Sequence, residues 1–153
     1  PLTDTETSGQ VLARLADRGA RLLVEVLDAI EAGTAVATPQ PGAGITLAPK
    51  LTVADARIDW ARPAIEIDRL IRACNPGPVA WTTYRGDRFK VWLGRARAGT
   101  VLAPGVIDAG RHTVNVGTGR GVLELLQVQP AGKRPMAAAD WARGLGADPG
   151  TFA

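Results

Sequence analysis

The sequence has 153 residues, of which 46% are hydrophobic and 22% charged, enough apolar material for one ordinary domain or two small ones. This composition excludes a disordered tail, and no apolar run approaches the roughly 20 residues that a membrane span needs. The acidic and polar residues 1–6 do not resemble a secretory signal. The net charge of +3 is a mild excess and by itself weak evidence for an anionic partner.

The chain has one cysteine and one histidine, Cys74 and His112, so neither an internal disulfide nor a Cys/His zinc site is expected. This usage favours a reducing cytosol. Cys74 falls on an apolar helix face, where cysteine is usually an inert hydrophobe, and His112 falls at a loop-to-strand junction, where a lone histidine is usually a surface residue. The acids Asp55 and Asp59, near Arg57, are expected to form a structural salt bridge.

The first part of the chain is expected to be helical. Between residues 7 and 32, apolar residues recur every three or four positions. Gly19 interrupts this pattern, which predicts a pair of helices over about 8–18 and 20–32, the second ending at Gly33. Such a pair has one apolar face and needs another part of the protein to pack on.

Residues 33–49 are typical of a linker, because three prolines and three glycines without any charge leave no room for a long element. The mixed segment that follows leads into a predicted helix over residues 63–74. Pro63 suits the first turn of this helix, and Asn75–Pro78 ends it firmly. Its apolar stripe predicts that one face packs on the elements that come after it.

Beyond residue 78 the apolar residues alternate with a period of two, which predicts five short strands. The Gly117–Gly121 segment lacks the lysine and the following helix of a phosphate-binding loop, so it is interpreted as a hairpin turn. One helix before five short strands is typical of an α+β domain with an OB-like five-stranded β-barrel. A last helix is predicted over Ala137–Arg143. The predicted strands cover Val79–Tyr84, Phe89–Gly94, Gly105–Asp108, Thr113–Gly117 and Val122–Val128.

Basic residues occur in groups that suit either a solvated surface or a nucleic-acid surface. OB-like barrels follow phosphate backbones with positive grooves, and arginine offers a planar fork to phosphate oxygens. By helical and strand periodicity, the members of the helix group share a face, and so do the members of the strand group. The groups are Arg69 with Arg72 on the helix, Arg88 with Lys90 and Trp92 on a strand, and Lys133-Arg134 in a loop.

Four stretches, in the same order, resemble the C-terminal half of methionyl-tRNA formyltransferases. Together they are specific, although each alone would be weak, and the resemblance spans nearly the whole chain. Three positions depart from the family pattern: Leu47 stands where Tyr is usual, Cys74 where Phe is usual, and Gly77 where Trp is usual. The stretches are Ala48–Thr52, Ala56–Trp60, Ile71–Trp81 and Gln127–Met136.

The resemblance implies a cytoplasmic, bacterial, monomeric enzyme of two parts, with no metal. In that family an N-terminal Rossmann-like domain binds 10-formyltetrahydrofolate and carries the Asn, His and Asp of formyl transfer to methionyl initiator tRNA. Residues 1–32 would be the last helices of that catalytic domain, 33–49 the linker, and 50–153 the OB-like tRNA-binding domain. No residue here matches the catalytic set, so the chain is expected to begin mid-protein and to be inactive alone.

The resemblance also implies a set of tRNA contacts. Lys50 matches the family's linker lysine, and Arg72, Lys133 and Arg134 match basic positions in the shared stretches. Charge placement alone adds the remaining members. The predicted tRNA-binding residues are Lys50, Arg57, Arg69, Arg72, Arg88, Lys90, Lys133 and Arg134.

Two other interpretations stay open at the level of the sequence. Sugar-nucleotide formyltransferases and formyltetrahydrofolate dehydrogenases have a similar C-terminal domain, which would shape a small-molecule site or act as a spacer. The chain could also be a non-catalytic interaction module whose basic face is accidental. The Gln129–Met136 stretch favours the tRNA enzyme over both.

Overall fold

The computed structural model describes residues 2–99, 102–146 and 148–153. Within these residues the chain is α+β, with three helices and six strands. None of these helices is both long enough and apolar enough to cross a membrane. The helices are α1 (Ser8–Glu31), α2 (Ala64–Ala73) and α3 (Ala138–Ala142), and the strands are β1 (Ala80–Tyr84), β2 (Asp87–Arg97), β3 (Ile107–Ala109), β4 (Val114–Gly117), β5 (Val122–Gln129) and β6 (Met136–Ala137).

The strands form one antiparallel sheet in the order β1-β2-β5-β4-β3, and β6 pairs with the end of β5. The five predicted strands and the helix at 63–74 are confirmed, whereas β6 was missed because two residues show no periodicity. The sheet is not closed by pairing between its edge strands. Residues near the C-terminus lie between those edges instead: the Phe152 N–H donates to the Gly105 carbonyl at 2.9 Å, and Ala153 and Thr83 exchange backbone hydrogen bonds at 3.0 and 3.1 Å.

The core lies between α2 and the inner face of the sheet. Ile67 and Ile71 of α2 are fully buried there, beside Cys74 just after the helix. Burial raises the pKa of the Cys74 thiol, and the negative charge of Asp55 raises it further. The thiol is therefore a protonated small hydrophobe, in agreement with the sequence-based interpretation.

The predicted pair of N-terminal helices is wrong, because α1 runs without a break from Ser8 to Glu31. A mid-helix glycine costs only about 1 kcal/mol, which the rest of a 24-residue helix easily tolerates. The ends agree with the sequence. Thr7 caps the start through a capping box with Gln10, and Gly33, at φ +69°, ends it in the bonding pattern of a Schellman motif.

The first turn of α1 is attached to the turn that follows α2. The Gly9 N–H and the Ser8 hydroxyl both donate to the Asn75 carbonyl, at 3.0 and 2.6 Å. No residue of α1 is buried, and its apolar stripe lies in solvent. The stripe consists of large side chains that are each more than two-fifths exposed: Leu12, Leu15, Leu22, Leu23, Val26, Leu27 and Ile30.

The Gly117–Gly121 segment is the hairpin turn between β4 and β5, as expected. Its central amide is already used, since the Gly119 N–H donates to the carbonyls of Trp60 at 2.9 Å and Arg62 at 3.1 Å. The turn therefore lies directly against the chain ahead of α2, with no free amide at Gly119 for a phosphate. A Cβ atom at Gly119 would lie only 1.9 Å from the Ala61 carbonyl oxygen.

We expect Gly119→Ala to lower the free energy of unfolding by about 2 to 3 kcal/mol, because backbone must move to admit the methyl group. Gly19→Ala is the matched control. Apart from its chain neighbours and the backbone of its own helix, a Cβ built there meets no atom within 4 Å, and no residue of α1 is buried, so this change should alter the free energy of unfolding of the sheet by less than about 0.5 kcal/mol. Urea denaturation measures both, and equal midpoints for Gly119→Ala and the parent would contradict the close approach.

Candidate nucleic-acid interface

The β1–β2 hairpin separates an apolar inner face from a basic outer face. Phe89 and Val91 are fully buried on the inner side. On the outer side Lys90 lies opposite Trp81, and Arg88 lies opposite Thr83. The predicted shared face of Arg88 and Lys90 is therefore confirmed by the register, because alternate residues of a strand point the same way.

Arg57 is brought to the same face by a segment that bridges to β1. The Ile58 N–H donates to the Trp81 carbonyl at 2.8 Å, and the Trp81 N–H donates to the Ala56 carbonyl at 3.0 Å. The Arg57 guanidinium carbon lies 5.7 Å from the centre of the Trp81 ring, and that of Arg88 lies 4.4 Å from it. Each such cation–π contact is worth about 0.5–1 kcal/mol at an exposed site.

The Lys133-Arg134 turn is tied to the sheet by Gln129. The Trp92 Nε1–H donates to Gln129 Oε1 at 3.0 Å, and Gln129 Nε2 donates to the Lys133 carbonyl at 2.8 Å. Gln129 is also the register partner of Lys90. The Gln129 side chain therefore holds the Lys133-Arg134 turn against the outer face of β2. This contact gives the first residue of the Gln129–Met136 stretch a structural role.

Five basic residues thus follow one another across neighbouring strands and turns, and we call them the basic strip. Four are exposed and Lys90 is half-buried. No carboxylate lies within ion-pair distance of any of them in the part of the chain that the structure describes. Their charge is available to an external anion. The basic strip consists of Arg57, Arg88, Lys90, Lys133 and Arg134.

The other three predicted contacts are not joined to the basic strip. Lys50 and Arg69 are exposed, one on an irregular segment and the other on α2. Arg72 is engaged inside the protein: its Nε lies 3.0 Å from the Asp68 carboxylate, and its Nη1 donates to the Glu6 carbonyl at 3.3 Å. Arg72 therefore holds the segment ahead of α1 against α2.

The acids near Arg57 do not form the salt bridge predicted for them. Asp55 accepts hydrogen bonds from the Thr52 N–H at 2.8 Å and the Thr52 hydroxyl at 2.7 Å. These bonds, the backbone one first, hold the pKa of the Asp55 carboxyl below its usual range. Asp59 accepts from the Ala61 N–H at 3.0 Å. Local turns, which a short polar side chain can cap by itself, compete successfully with the ion pair.

Within residues 2–99, 102–146 and 148–153, no group of three or more His, Cys, Asp or Glu side chains could hold a metal ion. His112 is exposed in the β3–β4 turn, and Cys74 is buried. The basic strip is therefore the strongest candidate site on the described surface.

Sequence reasoning missed Trp81 and Gln129 as members of this region. Tryptophan in a small domain is usually part of the core, yet Trp81 is only half-buried and lies on the outer face. Neighbouring residues of a strand point to opposite faces, so Trp81 lies opposite the fully buried Thr82, but the sequence did not show which of the two is buried. Gln129 had no signal at all, because its two hydrogen bonds depend on strand register and on the path of the following turn.

A family model described as the formyl transferase C-terminal domain matches residues 50–146. The chain belongs to the formyl transferase C-terminal domain family. Proteins named methionyl-tRNA formyltransferase are similar to this family member. One from Streptomyces coelicolor is 55% identical over 141 residues, which cover 92% of this chain and 46% of the relative. One from a Parafrankia species is 52% identical over 150 residues, covering 96% and 48%. The chain spans about half the length of these curated relatives.

Solved structures of HypX from Aquifex aeolicus share the fold of this formyl transferase C-terminal domain. A doubly substituted variant matches with a TM-score of 0.71 at 19% identity, over 97% of this chain and 28% of that chain. A complex with tetrahydrofolic acid matches with a TM-score of 0.61 at 21% identity, over 78% and 22%. At such identities the likeness concerns the fold alone.

Proposed function

We propose that this chain is the tRNA-holding part of a methionyl-tRNA formyltransferase. That enzyme transfers a formyl group from 10-formyltetrahydrofolate to the amino group of methionyl initiator tRNA in translation initiation. The observation that carries the proposal is the basic strip: five cations without a carboxylate partner in the described part of the chain. Relatives with that name at about half identity support it.

The chemistry of the strip suits a phosphate backbone better than a small neutral substrate. Arg57 and Arg88 offer planar forks that match phosphate oxygens, and Lys90 adds a point charge. Lys133 and Arg134 extend the same charge along a loop that can enter a groove. We assign flanking contacts to Lys50 and Arg69, which are exposed. Arg72 would have to leave Asp68 before it could join them.

We propose the same domain division as the family. Residues 50–153 would form an OB-like tRNA-binding domain, in which the bridging role of Phe152 and Ala153 supports a barrel-like arrangement. Residues 33–49 would be the linker. Residues 1–32 would close the preceding Rossmann-like catalytic domain, and the apolar stripe of α1, exposed over its whole length, is what such a helix needs in order to pack there.

Formyl transfer itself would occur outside this chain. We propose that 10-formyltetrahydrofolate binds to a preceding domain, because the relatives named methionyl-tRNA formyltransferase are about twice as long as the part that this chain matches. We also propose that the whole enzyme is monomeric, cytoplasmic and of bacterial type. The role of this chain would be to hold and orient the tRNA, a contribution through positioning.

The direct test is binding of methionyl initiator tRNA by the chain alone. With five phosphate contacts, the dissociation constant should rise about 100- to 500-fold between roughly 50 and 200 mM salt, because each contact releases counterions. Filter binding or fluorescence anisotropy at several salt concentrations measures this slope. A flat salt response contradicts the tRNA-binding role and favours a small-molecule formyltransferase or a plain interaction module. Folate-dependent formylation by the chain alone contradicts the assignment of catalysis to another domain.

A further inference from the structure

Trp81 is approached by two guanidinium groups from opposite neighbours of β1. Arg88 comes from β2, with its guanidinium carbon 4.4 Å from the ring centre. Arg57 comes from the segment that bridges to the other edge of β1, with its guanidinium carbon 5.7 Å away. A single indole therefore organises two cations that are 31 residues apart in sequence.

The Trp81 ring is itself fixed in place. Its Nε1–H donates to the Val53 carbonyl at 2.6 Å, and its backbone is bonded on both sides of the residue to the 56–58 segment. The ring is half-buried, so the strand and the 53–58 segment restrict its rotation. A fixed ring can restrict the side chains that stack on it.

Stacking leaves the hydrogen-bonding edges of the two guanidinium groups free. An arginine on an aromatic ring contacts it through the flat face of its guanidinium, while its N–H donors point outward in the guanidinium plane. Neither Arg57 nor Arg88 has an acidic partner among the residues that the structure describes. An exposed arginine normally loses much rotamer freedom when it binds a phosphate, and a ring that orders it beforehand reduces that loss.

We propose that Trp81 is a positioning residue that holds Arg57 and Arg88 as a clamp for two phosphate groups of an RNA backbone. This inference rests on the proposed function and deepens it, since it assigns phosphate recognition to a preorganised pair within the basic strip. The indole does not stack on a base in this arrangement, because the guanidinium groups already lie against it. The clamp binds backbone without reading sequence, in keeping with the general role of phosphate contacts.

The central test replaces Trp81 without changing charge. Trp81→Leu removes the ring, and Trp81→Phe keeps a ring while losing the same hydrogen bond to Val53. We expect Trp81→Leu to weaken binding of initiator tRNA about 5- to 10-fold, because the two arginines lose the order that the ring gives them and must lose more rotamer freedom on binding. Trp81→Phe should recover most of this loss. Far-UV circular dichroism and thermal unfolding verify that each variant is folded.

A double-mutant cycle separates the clamp from base stacking. In a background of Arg57→Ala and Arg88→Ala, the clamp predicts that Trp81→Leu has no further effect on affinity. A further loss in that background means that a base stacks on the indole and overturns the clamp. An unchanged affinity of Trp81→Leu with the arginines intact also overturns it. If Trp81→Leu fails to fold, Arg57→Lys with Arg88→Lys decides: a planar clamp predicts weaker binding at equal charge, and equal affinity rejects it.

A short single-stranded RNA oligonucleotide serves as the second probe beside initiator tRNA. Steep salt-dependent binding of tRNA that is indifferent to Trp81 rejects the clamp and leaves the proposed function intact. Binding of the oligonucleotide that depends on Trp81, without binding of initiator tRNA, rejects the proposed function and supports the clamp. Binding of neither probe rejects both.

Discussion

Replacing all five residues of the basic strip with alanine is expected to weaken binding of initiator tRNA about 1000-fold at low salt. Exposed charges of this kind contribute somewhat under 1 kcal/mol each, so five of them together are worth about 4 kcal/mol, or three powers of ten in the dissociation constant. The salt slope should also fall by about 4, because five counterion-releasing contacts are lost. Anisotropy titrations of labelled tRNA at several salt concentrations measure both quantities.

The matched control removes the same charge from other surfaces. Both variants change the net charge from +3 by the same amount, so a difference between them reports placement and not total charge. Near-parent affinity in the control and a large loss in the strip variant are expected. Equal losses in the two would mean that the chain attracts RNA through its overall charge, as a non-specific polycation does. The control substitutes alanine at Arg18, Arg21, Arg111, Arg120 and Arg143.

Phe152→Ala is expected to lower the free energy of unfolding by about 3 to 5 kcal/mol, the cost of truncating a buried phenylalanine to alanine. Phe152 is 5% exposed, and its ring lies 5.4 Å from that of Trp60 and 5.0 Å from that of Phe89. The residue also belongs to the segment that joins the two sheet edges. Urea denaturation followed by tryptophan fluorescence measures the loss.

Thr151→Ala provides the comparison for this prediction, because the neighbouring side chain is exposed and its removal should change stability by less than about 0.5 kcal/mol. A Phe152→Ala variant as stable as Thr151→Ala would contradict the role of the C-terminal segment in the core. At urea concentrations below its unfolding midpoint, Phe152→Ala is expected to keep its tRNA affinity, because the buried ring offers the RNA no direct contact.

Local patterns predicted most of the sheet domain. The helix over 63–74 and the five strands were found because each has a clear period of 3.6 or 2 with one buried face. The errors come from tertiary context. Gly19 did not break α1, since one glycine costs less than the surrounding helix contributes. β6 and the 150–153 bridge are too short to show a pattern and exist only through distant partners such as Gly105 and Thr83.

Part of the candidate site was also predictable from local sequence patterns. Strand parity placed Arg88 and Lys90 together, whereas the approach of Arg57 to Trp81 depends on a bridge between two segments that are distant in sequence. The ion pair of Arg72 was predictable from the sequence, because Asp68 lies four residues earlier, which is the spacing of a helical ion pair. The spacing of arginines therefore predicts contacts with an external partner less well than the combined spacing of arginines and acidic residues, which also shows the arginines that form ion pairs within the protein.

The Trp92–Gln129–Lys133 connection makes the basic turn observable in solution. The Trp92 indole N–H and the Lys133 carbonyl share the Gln129 side chain, with distances of 3.0 and 2.8 Å. An RNA that pulls the turn outward must disturb this amide, and the polarity around the indole changes with it. In a variant whose other three tryptophans are replaced by phenylalanine, we expect the emission of the half-buried Trp92 to follow the movement of this loop without any attached dye.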